Sequence, residues 1–332
     1  MNLKNRKVLV TGADGFIGSH LVEALSAGGS DVTAFVFYNS FNSWGWLDTL
    51  PKKKLDKIRV VAGDVRDYQS VASAVKGADC IFHLAALIGI PFSYDAPGSY
   101  VETNIKGTLN VLQAARKHGT KRTVVTSTSE VYGTALYAPI DEKHPLQGQS
   151  PYSASKIGAD KMAESFYRSF GVPVTTARPF NTYGPRQSAR AIIPTVITQL
   201  MENKKEVRVG SVHPTRDFNY VSDICAGFIA LAGCDEAVGK EVNIGSGQEI
   251  SIGGLIEMIM ELTGTDAAVV SEKGRKRPKQ SEVERLLCDN TLIRDLTGWE
   301  PKVSLQAGLR KTIEWFKDKN NLKGYKAGLY NV

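Results

Sequence analysis

Cysteine is scarce in this sequence of 332 residues: it has only Cys80, Cys225, Cys234 and Cys288, and no two of them lie in a paired metal-ligand spacing. That argues against a zinc module and against a disulfide framework, so no metal site is expected. Long apolar runs are missing too. The longest, around Cys80 to Phe92, contains His83 and falls short of the roughly 20 residues that cross a bilayer. The amino terminus, Met-Asn-Leu-Lys-Asn-Arg-Lys, has no signal-type apolar region, so a soluble, cytoplasmic protein without membrane partners is expected. Internal repeats and low-complexity tracts do not occur. Acidic residues are outnumbered, 34 Asp+Glu against 41 Lys+Arg, for a net charge of +7. This modest excess favours a small anionic ligand such as a phosphate ester. Lys52, Lys53, Lys54 and Lys57, and again Lys273, Arg275, Lys276, Arg277 and Lys279, carry no interleaved aromatics. They read as solvated faces, and no nucleic-acid partner is expected.

With 42% hydrophobic and 23% charged residues the chain can bury a full core. Short β-branched runs alternate with segments of helical period. Lys7 to Thr11 reads as a strand, Ile17, Leu21 and Leu25 share a helical face, and Val32 to Phe37 and Ile58 to Ala62 are strands. Further strands are expected at Cys80 to Leu84, Thr123 to Ser127 and Val174 to Arg178, with helices from about Asn104 to Lys117 and after Tyr152. This alternation predicts an α/β fold with a doubly wound parallel sheet. After Pro179 the pattern loosens around Pro185, Pro194 and Pro214, where a smaller C-terminal lobe begins. The division expected is a dinucleotide-binding domain over 1–180 and a mainly substrate-binding lobe over 181–332. Segments near 217–247 return to the first domain, because Val242 to Ile244 is strand-like and Ile252 to Leu262 helix-like.

The first strand runs into Gly12-Ala13-Asp14-Gly15-Phe16-Ile17-Gly18 and an amphipathic helix. Glycines at such a turn allow close approach of a pyrophosphate, and the helix N-terminus favours its charge. Tyr152 and Lys156, four apart, share a helical face. An ammonium beside a phenol lowers its proton affinity, which would let Tyr152 act as a base near neutral pH.

The Gly-x-x-Gly-x-x-Gly turn, Thr126-Ser127-Thr128-Ser129-Glu130-Val131-Tyr132-Gly133 and Pro151-Tyr152-Ser153-Ala154-Ser155-Lys156 resemble the extended short-chain dehydrogenase/reductase superfamily. The resemblance implies a Rossmann sheet and a nicotinamide dinucleotide held by Gly12, Gly15, Phe16, Ile17, Gly18, Asn39, Asp64, Val65, Leu84, Ala85, Ala86, Thr126, Tyr152, Lys156 and Pro179. The second strand ends without an acid for the ribose or a base for a 2′-phosphate, so NAD is favoured and NADP is left open. Asp64 matches the family's adenine contact, with an ordinary turn aspartate as the alternative. His83 reads as a packed strand residue.

Thr128 matches the family's catalytic hydroxyl, and Glu130 matches the base that nucleotide-sugar 4,6-dehydratases need to remove H5 once C4 is oxidised. An exposed surface acid is the other reading of Glu130. The best-known dehydratases carry Thr-Asp-Glu where this chain has Thr128-Ser129-Glu130, so the acid at C6 is either Glu130 acting twice or water held by Ser129. The triplet resembles GDP-mannose 4,6-dehydratases and dehydratases of legionaminic-acid pathways, and also UDP-glucuronate decarboxylases. Phe41-Asn42-Ser43-Trp44-Gly45-Trp46 and Ala177 to Arg190 look most like the legionaminic-acid branch. That branch implies a nucleotide-linked N-acetylglucosamine, UDP- or GDP-linked.

By the same resemblance Asn181 meets the substrate diphosphate, Arg216 and Arg277 offer guanidiniums that suit phosphate, and Arg186 is a further substrate-binding residue, with a surface ion pair as the alternative for Arg216. Asp217 reads as a structural partner. A homodimer is expected through apolar faces offered by Ile105, Leu109, Leu112, Ala159, Ala163 and Phe166, unless those faces pack on the sheet. Rival functions are a UDP-glucuronate decarboxylase, another nucleotide-sugar epimerase or dehydratase, and a catalytically silent dinucleotide sensor.

Overall fold

The computed structural model describes residues 1–202 and 205–326. Seven β-branched runs form seven parallel strands: β1 (Lys7–Thr11), β2 (Asp31–Phe37), β3 (Ile58–Gly63), β4 (Cys80–His83), β5 (Arg122–Thr126), β6 (Val174–Pro179) and β7 (Glu241–Ile244). Their spatial order is β7-β6-β5-β4-β1-β2-β3, which reverses direction between β1 and β4. The crevice at such a reversal is where α/β sheets bind ligands. The expected strand limits agree to within a residue, and Ser127 lies just beyond β5.

The principal helices are α1 (Phe16–Ala27), α2 (Tyr68–Val75), α3 (Gly107–His118), α4 (Pro151–Phe170), α5 (Ile192–Met201), α6 (Val221–Gly233), α7 (Ile252–Thr263) and α8 (Leu305–Lys317). A parallel sheet must be covered on both faces. On one face Val8, Val10 and Ala34 meet Leu21 and Leu25 of α1 and Phe228 and Leu231 of α6. On the other, Leu9, Ile81 and Val125 meet Val71 of α2, Leu112 of α3 and Ala163 and Phe166 of α4.

A separate core lies beyond the carboxyl ends of the strands, where Ile193 and Ile197 of α5, Leu255 and Ile259 of α7 and Leu309 and Phe316 of α8 pack together. The chain enters this lobe after β6 and returns to the sheet through α6 and β7. It leaves again for α7, then brings Ile293 and Trp299 back under the sheet before α8.

One expectation changes, and one alternative left open by the sequence is seen. The helix predicted from Asn104 starts earlier, as a π-helical segment at Val101–Lys106 that leads into α3. This widened turn buries Asn104, whose amide bonds the Leu87 N–H and carbonyl and the Ser155 hydroxyl. The apolar residues offered as a dimer face are also used internally, because Leu112, Ala159, Ala163 and Phe166 are buried within the subunit. A 3.6-residue period shows that a helix has an apolar side but not what covers it. Among the described residues no helix is long and apolar enough to cross a membrane.

Candidate active site

The reversal point opens into a cleft of about 930 Å³. Every site residue expected from the sequence lines it except Asn39. Gly12 adopts φ +66°, and a Cβ there would lie 2.7 Å from the Ala85 backbone nitrogen, so the turn after β1 passes hard against the strand end of β4. The N-terminus of α1 has no side-chain cap and no acid in its first turn. Its unpaired N–H groups and positive dipole end are thereby left for an anion. Phe35, Gly63 and Val65 extend this cradle along the tops of β2 and β3. Thr126 Oγ1 and Asn181 Oδ1 are buried in the cleft wall without a hydrogen-bond partner among the described residues. A close backbone turn, an open helix end and two polar atoms awaiting partners fit a dinucleotide with a polar substrate beyond it.

The Asn39 side chain instead ties its own loop, donating to the Phe37 and Ser43 carbonyls and accepting from the Phe41 N–H. Such local turns are what a short amide does best. Asp64 does line the cleft, but both its oxygens accept from the Arg66 side chain and one also from the Arg66 N–H. That pairing holds its carboxyl below the usual range.

Helix α4 starts in a reciprocal cap between Ser150 and Ser153, with Pro151 in its first turn. The cap fixes the first turn, which carries Tyr152, and the same face then presents Lys156 and Asp160. The Lys156 Nζ donates to the Thr126 carbonyl, 2.5 Å away. Burial pushes its proton affinity down, to a pKa of about 8, while the Asp160 carboxylate opposes the shift. Tyr152 moves the other way from the sequence expectation. Burial raises its pKa well above a free phenol's, the bond to the Thr128 hydroxyl pulls it down less, and Glu130 adds to the rise. Desolvation of the phenolate outweighs every nearby stabilising contact.

Thr128 caps a short 3-10 turn, Ser129–Tyr132, its hydroxyl accepting from the Glu130 N–H at 3.2 Å. This turn buries Ser129 and Glu130 beside Tyr152. Glu130 is 8% exposed, so it is no solvated surface acid. Its partner is the Arg277 guanidinium, 3.6 Å away.

Beneath these groups runs a polar network that no spacing in the sequence announced. Asp160 Oδ2 accepts from the Ser127 hydroxyl at 2.8 Å and from Arg178 Nε at 3.1 Å. Arg178 also bonds the Tyr132 hydroxyl, which donates to Asn243 of β7. The one available signal was Asp160 at i+4 from Lys156. Residues 87–92, an apolar arc whose Leu87 and Ile90 cluster with Tyr152, also line the cleft unannounced, because they follow no period.

Toward the lobe, Arg216 is 6% exposed, so the surface-pair alternative fails. Arg216 lies 3.8 Å from Glu282, which also faces Arg277 at 4.0 Å. Arg186, a non-glycine residue at φ +70°, turns its guanidinium to Glu23 of α1 at 2.7 Å and to the Ser19 hydroxyl. It braces α1 while lining the cleft. Asp217 is structural, accepting from Ser246, Gly247 and Cys288 backbone N–H groups. His83 is held between the Thr11 and Thr108 hydroxyls inside the core.

Known proteins share this architecture. The family model described as GDP-mannose 4,6 dehydratase matches residues 9–312. A dTDP-glucose 4,6-dehydratase of Actinoplanes sp. is 33% identical over 320 residues, covering 94% of this chain and 98% of that protein. A UDP-N-acetyl-alpha-D-glucosaminuronate decarboxylase of Bacillus cytotoxicus is 32% identical over 327 residues, 95% of this chain and 99% of that protein. The dTDP-glucose 4,6-dehydratase of Streptomyces venezuelae, solved with NAD and TYD bound, superposes with a TM-score of 0.84 at 30% identity, covering 95% of this chain and 98% of that one. With the match extending from β1 into α8, the chain belongs to the extended short-chain dehydrogenase/reductase family of nucleotide-sugar 4,6-dehydratases and epimerases.

Proposed function

We propose that this protein is a nucleotide-sugar 4,6-dehydratase that holds NAD and converts a UDP- or GDP-linked N-acetylglucosamine to its 4-keto-6-deoxy product. The observation that carries the reading is Glu130, a carboxylate buried in the cleft beside Thr128 and Tyr152. An epimerase that only oxidises and re-reduces C4 has no work for such a group. The family background of 4,6-dehydratases supports the reaction class, and the resemblance at Phe41 to Trp46 supports the sugar.

The dinucleotide, when bound, supplies a hydride acceptor and later a hydride donor, so it leaves the cycle unchanged. Gly12, Gly15 and the first turn of α1 bind its phosphates, and Leu84 to Ala86 lie alongside. Thr128 and Tyr152 bond the sugar's C4 oxygen, and Tyr152 takes its proton as a phenolate, a form that burial disfavours and that the Lys156 charge one helical turn away must support in the loaded site. A C4 carbonyl acidifies the proton on C5, which Glu130 removes. The C6 oxygen then leaves as water, its proton coming from Glu130 or from water held by Ser129, and the C5–C6 double bond left behind is reduced by the returned hydride at C6 and a proton at C5, supplied from the proton Tyr152 took at C4. Asn181, Arg216 and Arg277 hold the diphosphate.

A second reading, decarboxylation of a nucleotide-linked uronate, is favoured by Arg277, a cation beside Glu130 that could meet a substrate carboxylate. Mass spectrometry of the enzyme incubated with UDP- and GDP-linked N-acetylglucosamine, GDP-mannose, dTDP-glucose and UDP-glucuronate separates the two. Loss of water from an N-acetylglucosamine nucleotide is the expected result. Loss of carbon dioxide from the uronate would replace the dehydratase with the decarboxylase. Glu130→Gln should still oxidise C4 while dehydration falls by about 100-fold or more; normal dehydration by that variant would remove Glu130 from the mechanism.

A further inference from the structure

The stretch after β2 is a built excursion rather than a slack loop. Ser43 Oγ and the Trp44 N–H both donate to Asp48 Oδ2, at 2.8 and 2.9 Å. Leu47 anchors it in the core under the sheet. Gly45, at φ +60°, approaches so near the glycine turn that a Cβ would lie 2.5 Å from the Asp14 carbonyl oxygen. The Trp46 N–H donates to that same oxygen at 3.0 Å. The Trp46 indole thus becomes a wall of the cleft immediately beside the turn that cradles the dinucleotide.

The lobe meets this wall with aromatic rings. Trp315 of α8 lies edge-on to Trp46 at 5.6 Å between centroids. Beyond α8 the chain doubles back, and Tyr325 stands 6.3 Å from Trp46, 6.1 Å from Trp315 and 4.9 Å from Phe316. The Tyr325 hydroxyl donates to the Gln187 carbonyl at 2.8 Å. Gln187 also lines this cleft, and its amide is tied to the Thr182 carbonyl at 2.7 Å. One side chain beyond α8 therefore touches two lining residues that come from different parts of the chain.

We propose that Trp46, Trp315 and Tyr325 form an aromatic latch that joins the segment after α8 to the dinucleotide turn and slows release of the cofactor. Tyr325 is a positioning residue that acts through Trp46. The inference rests on the reading that this cleft holds NAD. A lyase that regenerates its dinucleotide in every cycle has no need to exchange it, and a wall stapled from the lobe suits retention.

The test uses the full chain, loaded with NADH and chased with excess NAD, while the loss of bound NADH fluorescence is followed. Tyr325→Ala and Trp46→Ala should release NADH about tenfold faster, the order of effect expected from losing an edge-to-face pair with its packing. Tyr325→Phe keeps the rings and loses only the bond to Gln187, so its release should stay within about threefold of the parent. Affinity for UDP or GDP, read by calorimetry, should not move in any variant. Unchanged release in both alanine variants overturns the latch, and so does equal weakening of NADH and nucleoside diphosphate, which would mark general loosening. A parent protein that holds no NADH overturns the cofactor reading and the latch together. A parent that holds it with variants that behave alike overturns the latch alone.

Discussion

One helical turn beyond Lys156, the Asp160 carboxylate is fully buried against Arg178 and the Ser127 hydroxyl. Its charge opposes the desolvation that draws Lys156 down to about 8. The substitution Asp160→Asn removes that opposition, so Lys156 loses its proton at lower pH. The alkaline limb of the rate profile should shift about one pH unit toward acid. The variant also leaves the Arg178 guanidinium buried with its main counterion gone, a loss of about 3–5 kcal/mol in stability. A rate profile measured from about pH 6 to 9 on this variant, at a temperature where it is folded, checks the first effect. An unmoved limb would detach Asp160 from Lys156. This relation was half legible, since the i+4 spacing puts the two residues on one face. The partners Arg178 and Tyr132 come from other elements and leave no trace in spacing.

The elements themselves were the most legible level. β-branched runs bounded by glycine and charge became β1 to β7, and the glycine turn opened the helix it was expected to open. The misses have physical causes. Asn39 sits where a ribose contact is sought, yet a short amide in a turn finds backbone partners within four residues. The faces of α3 and α4 offered for a dimer pack within the subunit, the alternative that the helical period left open. Glu130 was found by pattern, but Arg277 lies far along the chain and meets it only through the lobe. The α4 cap makes a prediction at this scale. Ser150→Ala removes the side-chain half of the Ser150–Ser153 exchange and should lower stability by about 1 kcal/mol. Chemical denaturation read by circular dichroism measures it; a change well under half that value would mean that packing alone fixes the helix start.

Across the molecule, two buried imidazoles contribute to the response to acid. His83 in the core is depressed from 6.5 to about 3 by burial, with the Lys156 charge adding to it. His20 of α1 is depressed to about 4 by burial and then by Arg186. It faces the Pro185 carbonyl, at 3.0 Å, across the junction with the lobe. Between the folded and unfolded values the unfolded chain binds more protons, so stability rises with pH there. The contribution is complete above pH 6.5 and is lost as pH falls through 4 and toward 3. Each tenfold depression of proton affinity is worth about 1.4 kcal/mol, so His83 alone accounts for several. Thermal midpoints should therefore fall steeply from pH 6.5 to 4, and less steeply in a His83→Gln protein that remains folded. Equal slopes would place the acid sensitivity elsewhere.

The return of β7 to the edge of the sheet has a consequence for protein engineering. The sheet needs Glu241–Ile244 beside β6 and Trp299 beneath it, so no single cut divides this chain into a cofactor half and a sugar half. A hybrid made by joining residues 1–180 to a relative's remainder would exchange part of the sheet along with the lobe. Transplanting sugar preference calls for grafting the lobe pieces around α5, α7 and α8 together while leaving α6, β7 and Trp299 native, a patchwork of crossovers rather than one.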